Sequence, residues 1–227
     1  MSSQENKWNV PRKSIVAFRK TMMDWFRDNG KSYPWRETTS PYGILMAEMF
    51  LQRTQAKQVV AVYERFMARF PSPVELAAAD TAEVEQTILP LGLKKKAKQL
   101  KETALQVIEK HDGQIPSDQA ALLKLEGIGQ YTAHAVSVFA FGSQLPLVDA
   151  NAVRILGRVF GIQSTMRRPR MDPHLWNLLA DMIPKGQARE FGWALIDFGN
   201  SVCVVRRPRC PSCPLSILCI SAGAGSR

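Results

Sequence analysis

The sequence predicts an all-α protein, and three observations support this fold class. Apolar residues recur at helical spacing along the 227-residue chain, whereas the alternating pattern of β-strands is almost absent. Several of the helical segments end at glycine, asparagine or proline signals. The connections between segments are short, as in compact helical proteins. A hydrophobic content of 45% is sufficient for a buried core.

Five helical segments can be delimited from their apolar residues and end signals. The first ends at Asn29-Gly30, the third near Pro71 and the fourth at His111-Asp112-Gly113. Asp172-Pro173 indicates an N-cap followed by proline at the first helical position, which predicts a helix that continues to Ile183. The first four apolar stripes are Ile15, Phe18, Met22, Trp25 and Phe26; Leu45, Met46, Met49 and Phe50; Val59, Val62, Tyr63 and Phe66; and Leu100, Ala104, Val107 and Ile108.

The charge balance favours a polyanionic partner. Lys and Arg number 30 against 20 Asp and Glu, so the formal net charge is +10. Nucleic acid is the leading candidate, although a basic protein without such a partner stays open on charge alone. No apolar run approaches the ~20 residues that span a bilayer, and the N-terminus lacks the apolar stretch of a secretory signal. We therefore expect an intracellular, cytoplasmic protein that does not interact with membranes.

All four cysteines fall within the last 25 residues, in the spacing C-x6-C-x2-C-x5-C. Disulfides are unusual in a reducing compartment, so clustered cysteines there indicate a metal site. Structural zinc usually takes two C-x2-C pairs, and this segment has one, so zinc is the less favoured alternative. A short loop stiffened by Pro211 and Pro214 better suits a cubic iron–sulfur cluster. The expected ligands are Cys203, Cys210, Cys213 and Cys219.

A tight turn at Gly127-Ile128-Gly129, followed by Gln130, opens another helix. Glycine permits a positive φ and a close backbone approach, and the free N–H groups at a helix start can hold a phosphate. Taken alone, this pattern is weak evidence, because most such turns are ordinary. It gains weight from the segment around Asp149, which follows Tyr131 by 18 residues.

Together these segments resemble the hairpin and conserved acid of the helix-hairpin-helix DNA glycosylases, and the cysteine spacing resembles the cluster loop of endonuclease III and MutY. The resemblance covers roughly residues 12 to 221. It is strongest with MutY and the mismatch-specific thymine glycosylases. The segments that carry this second likeness are Tyr33-Pro34-Trp35-Arg36, residues 41 to 55, and Gly92-Leu93 with the basic run Lys94-Lys95-Lys96-Ala97-Lys98. Glu126 departs from the family, which usually has proline there.

The resemblance implies two helical lobes with a DNA-binding cleft between them. Residues 33–143 would form a central six-helix lobe that contains the hairpin. Residues 11–32 and 144–221 would form the other lobe, with a [4Fe-4S] cluster in the loop 203–219. The implied partner is double-stranded DNA with a mismatched or damaged base, bound by a monomer.

Two carboxylates suit the cleavage of an N-glycosidic bond, since the sugar becomes cationic and the leaving base needs a proton. The resemblance implies that Asp149 stabilises or captures the sugar, with a plain N-cap as the alternative. It implies that Glu48 acts as the acid, because burial in an apolar helix would raise its pKa. An exposed helical glutamate is the alternative. We expect the two carboxylates to face each other across the cleft.

Tyr131 stands where bifunctional relatives have the lysine that forms a Schiff base with the sugar. A phenol cannot form one, so we expect base excision without efficient strand cleavage. The alternative is a packing aromatic residue.

The remaining candidates concern DNA and base recognition. Gln52 and Arg53 resemble residues that fill the gap in the base stack and address the partner base, with ordinary helix-end polarity as the alternative. Lys95 and Lys96 are expected near DNA, although a basic run is usually a solvated helix face. Trp193 occupies the position of a glutamine in adenine-specific MutY, with a core tryptophan as the alternative.

These residues favour thymine or uracil opposite guanine as the substrate. The sequence stops soon after the cysteines, so the C-terminal 8-oxoguanine domain of MutY is expected to be absent. Adenine opposite guanine or 8-oxoguanine is the second candidate, because Gln52 and Gln55 are MutY-like. A non-catalytic DNA-damage binder and an iron–sulfur redox sensor are further alternatives.

Overall fold

The computed structural model describes residues 8–52 and 54–222, and these residues contain twelve α-helices and no β-strand. The all-α prediction is therefore confirmed. None of the described helices has the length and hydropathy needed to cross a bilayer. The helices are α1 (Arg12–Asn29), α2 (Pro34–Glu37), α3 (Pro41–Leu51), α4 (Ala56–Arg69), α5 (Pro73–Ala78), α6 (Thr81–Ile88), α7 (Ala97–His111), α8 (Gln119–Leu122), α9 (Gln130–Phe141), α10 (Ala150–Phe160), α11 (Pro173–Met182) and α12 (Ala188–Ser201).

Two compact units share these helices. One unit is Ser32–Ser143 and contains α2 to α9. Six of its eight helices are six or more residues long, and α2 and α8 are single turns. The other unit contains α1, α10, α11, α12 and the cysteine segment (residues 203–219), with its described residues lying before Ser32 and after Ser143.

Helix α3 is the central helix of the unit Ser32–Ser143. Its start is fixed by Ser40, whose Oγ accepts the Gly43 N–H at 3.2 Å, and by Pro41 at the first helical position. Every residue from Tyr42 to Phe50 is buried, because α2, α4 and α9 all pack against this helix. The sequence indicated a single apolar stripe here; burial on all sides instead places the carboxylate of Glu48 inside the unit.

In the other unit, α1 packs on α12 and α11, and its aromatic side chains contact rings of α10 and α12. The ring of Phe18 meets those of Phe160 and Phe191 edge-on, at centroid distances of 5.4 and 6.4 Å. Helix α11 begins as the sequence predicts: the buried Asp172 accepts the His174 N–H at 3.0 Å. The predicted ends of α1, α4 and α7 are also confirmed.

Candidate active site

Asp149 is the N-cap residue of α10. One oxygen, Oδ1, accepts the Ala152 N–H at 2.7 Å, and the other, Oδ2, accepts a hydrogen bond from the Asn151 side chain at 2.7 Å. Burial raises the pKa of this carboxyl above its ordinary value, and the two hydrogen bonds only partly oppose the effect. Asp149 therefore combines the N-cap of α10 with a carboxyl group that is largely removed from solvent.

Asn151 is held in turn by Arg154, one turn further along α10. The Arg154 Nη2 donates to Asn151 Oδ1 and to the Gly199 carbonyl oxygen, each at 2.7 Å, and its Nε donates to the Cys203 carbonyl oxygen at 2.7 Å. Gly199 makes this approach possible, since a Cβ there would lie 2.5 Å from the Asn151 side chain. A continuous chain of hydrogen bonds thus runs from Asp149 to the first cysteine.

Arg158, one turn beyond Arg154, holds the following residues of the cysteine segment. Its Nη1 donates to the Val204 carbonyl oxygen at 2.7 Å and its Nη2 to the Val205 carbonyl oxygen at 2.9 Å. Its own carbonyl oxygen lies 3.2 Å from Cys219 Sγ. Helix α10 therefore carries Asp149 at its N-terminus and contacts both ends of the cysteine segment.

The four cysteines line one cavity of about 110 Å³, together with Arg158 and Phe198. Burial raises the pKa of the Cys213 thiol, and the other three cysteines add to the shift through charge repulsion. No three His, Cys, Asp or Glu side chains of the described residues converge as a single-ion site requires. A cubic cluster needs wider spacing, because each thiolate binds a different iron, so the four soft donors around one cavity fit that group.

Glu48 lies on α3 with 7% of its surface exposed, between the fully buried side chains of its neighbours in the helix. The expectation of a buried carboxylate is met, whereas the alternative of an exposed helical glutamate does not hold. Glu48 belongs to the unit Ser32–Ser143, and Asp149 belongs to the other unit.

The hairpin connects α8 to α9 by a turn that only glycine adopts easily. Gly127 has φ +74°, and a Cβ there would lie 2.6 Å from the Gln99 side chain. Gly129 is the exposed N-cap residue of α9, with φ −93° and open space where a Cβ would project. The N–H groups at the start of α9, beginning with Gln130, are therefore approachable by an anion.

Glu126, the departure from the family pattern, is held on the α7 side of the hairpin. Its backbone N–H donates to Gln106 Oε1 at 2.9 Å, and the buried Thr103 hydroxyl lies 2.9 Å from its carbonyl oxygen. Its carboxylate lies 3.4 Å from Gln99 Nε2. These contacts tie the turn to α7, and the negative charge is directed to a neighbouring amide.

The structure also shows where the other predicted residues lie. The structure brings Gln52, the C-cap residue of α3, and Lys96 into contact: Lys96 Nζ lies 2.5 Å from Gln52 Oε1. Lys95 is exposed in the short 3₁₀ helix Lys94–Lys96. Tyr131 on α9 and Trp193 on α12 are both partly exposed. Arg53 lies outside the described residues.

Sequence reasoning missed Asn151, Arg154 and Arg158. Their signal was present as two arginines four residues apart on the helix that follows Asp149, a spacing that places both on one face. The sequence does not identify the groups that accept hydrogen bonds from these arginines, because they include backbone carbonyl oxygens 45 or more residues away.

The helix-hairpin-helix, the capped aspartate and the cysteine segment define the class of this protein. The chain belongs to the HhH-GPD superfamily of base excision DNA repair proteins, whose family model matches residues 46–181.

Individual relatives extend this likeness to nearly the whole chain. The chain is 41% identical to a thymine-DNA glycosylase of Aeropyrum pernix over 91% of this chain and 94% of the relative. It is 40% identical to a thymine/uracil-DNA glycosylase of Pyrobaculum aerophilum, over 91% and 92%. An adenine DNA glycosylase of Mycobacterium tuberculosis is 35% identical over 91% of this chain and 69% of the relative. The solved structure of a thermostable thymine-DNA glycosylase superposes with a TM-score of 0.88 at 34% identity, covering 93% of this chain and 98% of that one.

The two hairpin glycines should respond differently to the same substitution. Gly127→Ala should lower the free energy of unfolding by about 1–2 kcal/mol, because an L-residue is strained at positive φ and its Cβ would meet Gln99. Gly129→Ala is the matched control and should lose less, about 0.5 kcal/mol, because alanine there is only a poorer N-cap and meets no strain or contact. Denaturant unfolding of both variants measures this difference. Equal losses would show that the turn does not need its left-handed residue.

Proposed function

We propose that this chain is a monofunctional DNA glycosylase that hydrolyses the N-glycosidic bond of thymine or uracil mispaired with guanine. The observation that carries the reaction is Asp149, a desolvated carboxylate at a helix N-terminus, held by Ala152 and Asn151. The target base is supported by similarity to thymine- and thymine/uracil-specific relatives over nearly the whole chain. Duplex DNA with the mismatch is the proposed partner.

In this proposal Asp149 is ionised and stabilises the cationic sugar as the bond to the base breaks. Arg154 is a positioning residue: it fixes Asn151, and Asn151 fixes the orientation of the carboxylate. The same carboxylate caps α10, so the reacting group is oriented by the helix as well as by its neighbours. Precise orientation matters because a carboxylate that is already in place stabilises the developing positive charge without reorganising during the reaction.

Glu48 supplies the proton that the departing base needs, and its ionised form then helps to activate the water that adds to the sugar carbon. The position of Glu48 within α3, with 7% of its surface exposed, supports this role, because proton transfer to the base needs a carboxyl group shielded from bulk water. Tyr131 offers no amine for a Schiff base, so the product is an intact strand with an abasic site. We propose Tyr131 as a wall of the base pocket.

DNA binding in this proposal uses the hairpin and the basic run. The free N–H groups beyond Gly127 and Gly129, with Gln130, would hold a phosphate, as helix N-termini do for anions. Lys95 would contact the backbone electrostatically. Trp193 would line the base pocket with its ring and one N–H donor. Gln52 and Arg53 would address the partner base.

We further propose that Cys203, Cys210, Cys213 and Cys219 hold a [4Fe-4S] cluster. When bound, such a group would crosslink the segment after α12 through its thiolate bonds and so stabilise the fold. Arg154 and Arg158 connect this segment to α10 through the Cys203, Val204 and Val205 carbonyl oxygens. The metal-binding segment thereby supports the helix that positions Asp149.

Adenine is the second candidate base, and the similarity to an adenine DNA glycosylase favours it. Against it, Trp193 offers no amide to pair with adenine.

Single-turnover excision on T:G, U:G, A:G and A:8-oxoguanine duplexes tests the target base and the role of Asp149. We expect release of thymine and uracil opposite guanine and a loss of about 10²-fold or more in Asp149→Asn. Asparagine is also a good N-cap, so this variant should retain α10. Cleavage should require alkali, and borohydride should trap no adduct. Excision of adenine alone would contradict the base assignment, and an undiminished Asp149→Asn rate would contradict the mechanism.

The pH dependence of excision should report the environment of Asp149. The rate should fall on the acidic side as the carboxylate becomes protonated, at a pH above the ordinary aspartate range because burial raises its pKa. Asn151→Ala removes a hydrogen bond that lowers this pKa, so the acidic limb should move to higher pH. A pH–rate profile under single-turnover conditions measures the shift. An unmoved limb, or a shift to lower pH, would contradict the account.

Replacement of one cysteine should test the cluster. Cys213→Ser should contain less iron, absorb less visible light and unfold at a lower temperature, because it loses one thiolate ligand. Ser212→Ala, a change beside it in the same segment, is the control and should keep its iron. Metal analysis and thermal melts provide the measurements. Zinc in the purified wild type, or full iron content in Cys213→Ser, would refute the assignment.

A further inference from the structure

Lys96 points inward, toward the C-terminal end of α3. Its Nζ donates to the Met49 carbonyl oxygen at 3.1 Å and to Gln52 Oε1 at 2.5 Å, and the lysine is half-buried. The last carbonyl groups of a helix have no partner within the helix, and a cation there is favourable. Lys96 thus caps α3, the helix that carries Glu48, and it fixes the side chain of Gln52, the C-cap residue of that helix.

The contact also determines which way the Gln52 amide faces. An ammonium group has three hydrogen-bond donors and no acceptor, so only the amide oxygen can turn toward it. The Gln52 Nε2 group, with its two donors, is therefore left for other partners. The amide orientation follows from the chemistry of Lys96.

Both side chains line an open cavity of about 530 Å³ in the unit Ser32–Ser143. The remaining lining residues are Thr54, Leu91, Gly92 and Leu93. A cavity with this mixture of apolar and polar walls can accept a flat heteroaromatic ring and make a few directed hydrogen bonds to its edge. The preferred ring then depends on which group Gln52 presents to it, the amide oxygen or the amide nitrogen.

We propose that Lys96 is a positioning residue that makes Gln52 a donor-only reader of the base opposite the lesion. This inference rests on the proposed function, in which Gln52 addresses the partner base. A free glutamine pairs well with adenine, because its oxygen accepts from N6 while its nitrogen donates to N7. With the oxygen turned toward Lys96, the amide cannot present its oxygen and its nitrogen side by side to the adenine edge, so that paired contact is weakened. Guanine, which presents the acceptors O6 and N7, is then favoured over adenine.

A simple phosphate contact is the competing role for Lys96, and it has a different signature. Loss of a phosphate contact weakens binding to every sequence equally and reduces the salt dependence by about one unit of slope. Loss of a positioning residue changes the preference between partner bases. Lys95 provides the matched control, because it is the exposed neighbour in the same 3₁₀ helix.

The test measures the affinity of the full chain for duplexes that carry a tetrahydrofuran abasic analogue opposite guanine or adenine. Fluorescence anisotropy at several salt concentrations gives both the preference and the salt slope. Lys96→Met should reduce the guanine preference about 10-fold, the size of one base-reading contact. Lys96→Arg should keep the guanine preference, since a guanidinium, like an ammonium group, only donates hydrogen bonds. Lys95→Met should weaken both duplexes equally.

Two further variants secure the interpretation. In a Gln52→Ala background, Lys96→Met should no longer alter the preference, because the reader is gone. Gln52→Glu keeps a partner for Lys96 but presents no donor, so it should lose the guanine preference even if Lys96→Met is poorly folded. An unchanged preference in Lys96→Met, or in Gln52→Glu, would overturn the proposal.

Binding to abasic analogues needs no excision, so it separates this inference from the proposed function. If the wild type excises neither thymine nor uracil, the proposed function fails, whatever the binding preference. If it excises them and Lys96→Met keeps the wild-type preference, the inference fails alone, and uniformly weaker binding with a smaller salt slope then identifies Lys96 as a phosphate contact.

Discussion

The hydrogen bonds of Arg154 are the constraint on which the candidate active site depends. One guanidinium joins Asn151, the end of α12 at Gly199 and the start of the cysteine segment at Cys203. A guanidinium presents its donors in a rigid fork, so three acceptors from three segments are fixed relative to one another. Asp149 inherits this rigidity through Asn151. The position of the carboxylate is thus set by chain segments 50 residues away.

Much of the fold could be predicted from the sequence, because it depends on local signals. The Asn29-Gly30 and Asp172-Pro173 signals mark helix ends that the structure reproduces. The burial of α3 on all sides could not be predicted from its apolar stripe, since it depends on which other helices cover it. Helices α5 and α6 escaped notice because they are only six and eight residues long, too short for a clear helical period.

The local geometry of the candidate site could be predicted where it depends on nearby residues. The N-cap position of Asp149, the positive φ of Gly127 and the grouping of the four cysteines around one cavity belong to that part, whereas the roles of these residues stay predictions. The contacts between Arg154 and Cys203 and between Lys96 and Gln52 join residues that are 49 and 44 positions apart. A pattern of residues along the chain does not reveal such partners. It indicated a basic run beyond Gly92, but not that Lys96 would face inward while Lys95 faced solvent.

In the proposed mechanism Asn151 and Arg154 act as one unit on Asp149, and a double-mutant cycle tests this coupling most directly. Single-turnover excision is measured for Asn151→Ala, Arg154→Met and the double variant, each with a thermal melt. The double variant should be about as slow as the slower single variant, because either change already removes the support that Asn151 gives to Asp149 Oδ2. Arg158→Met combined with Asn151→Ala serves as the control. Independent, multiplicative losses for Asn151 and Arg154 would contradict the account.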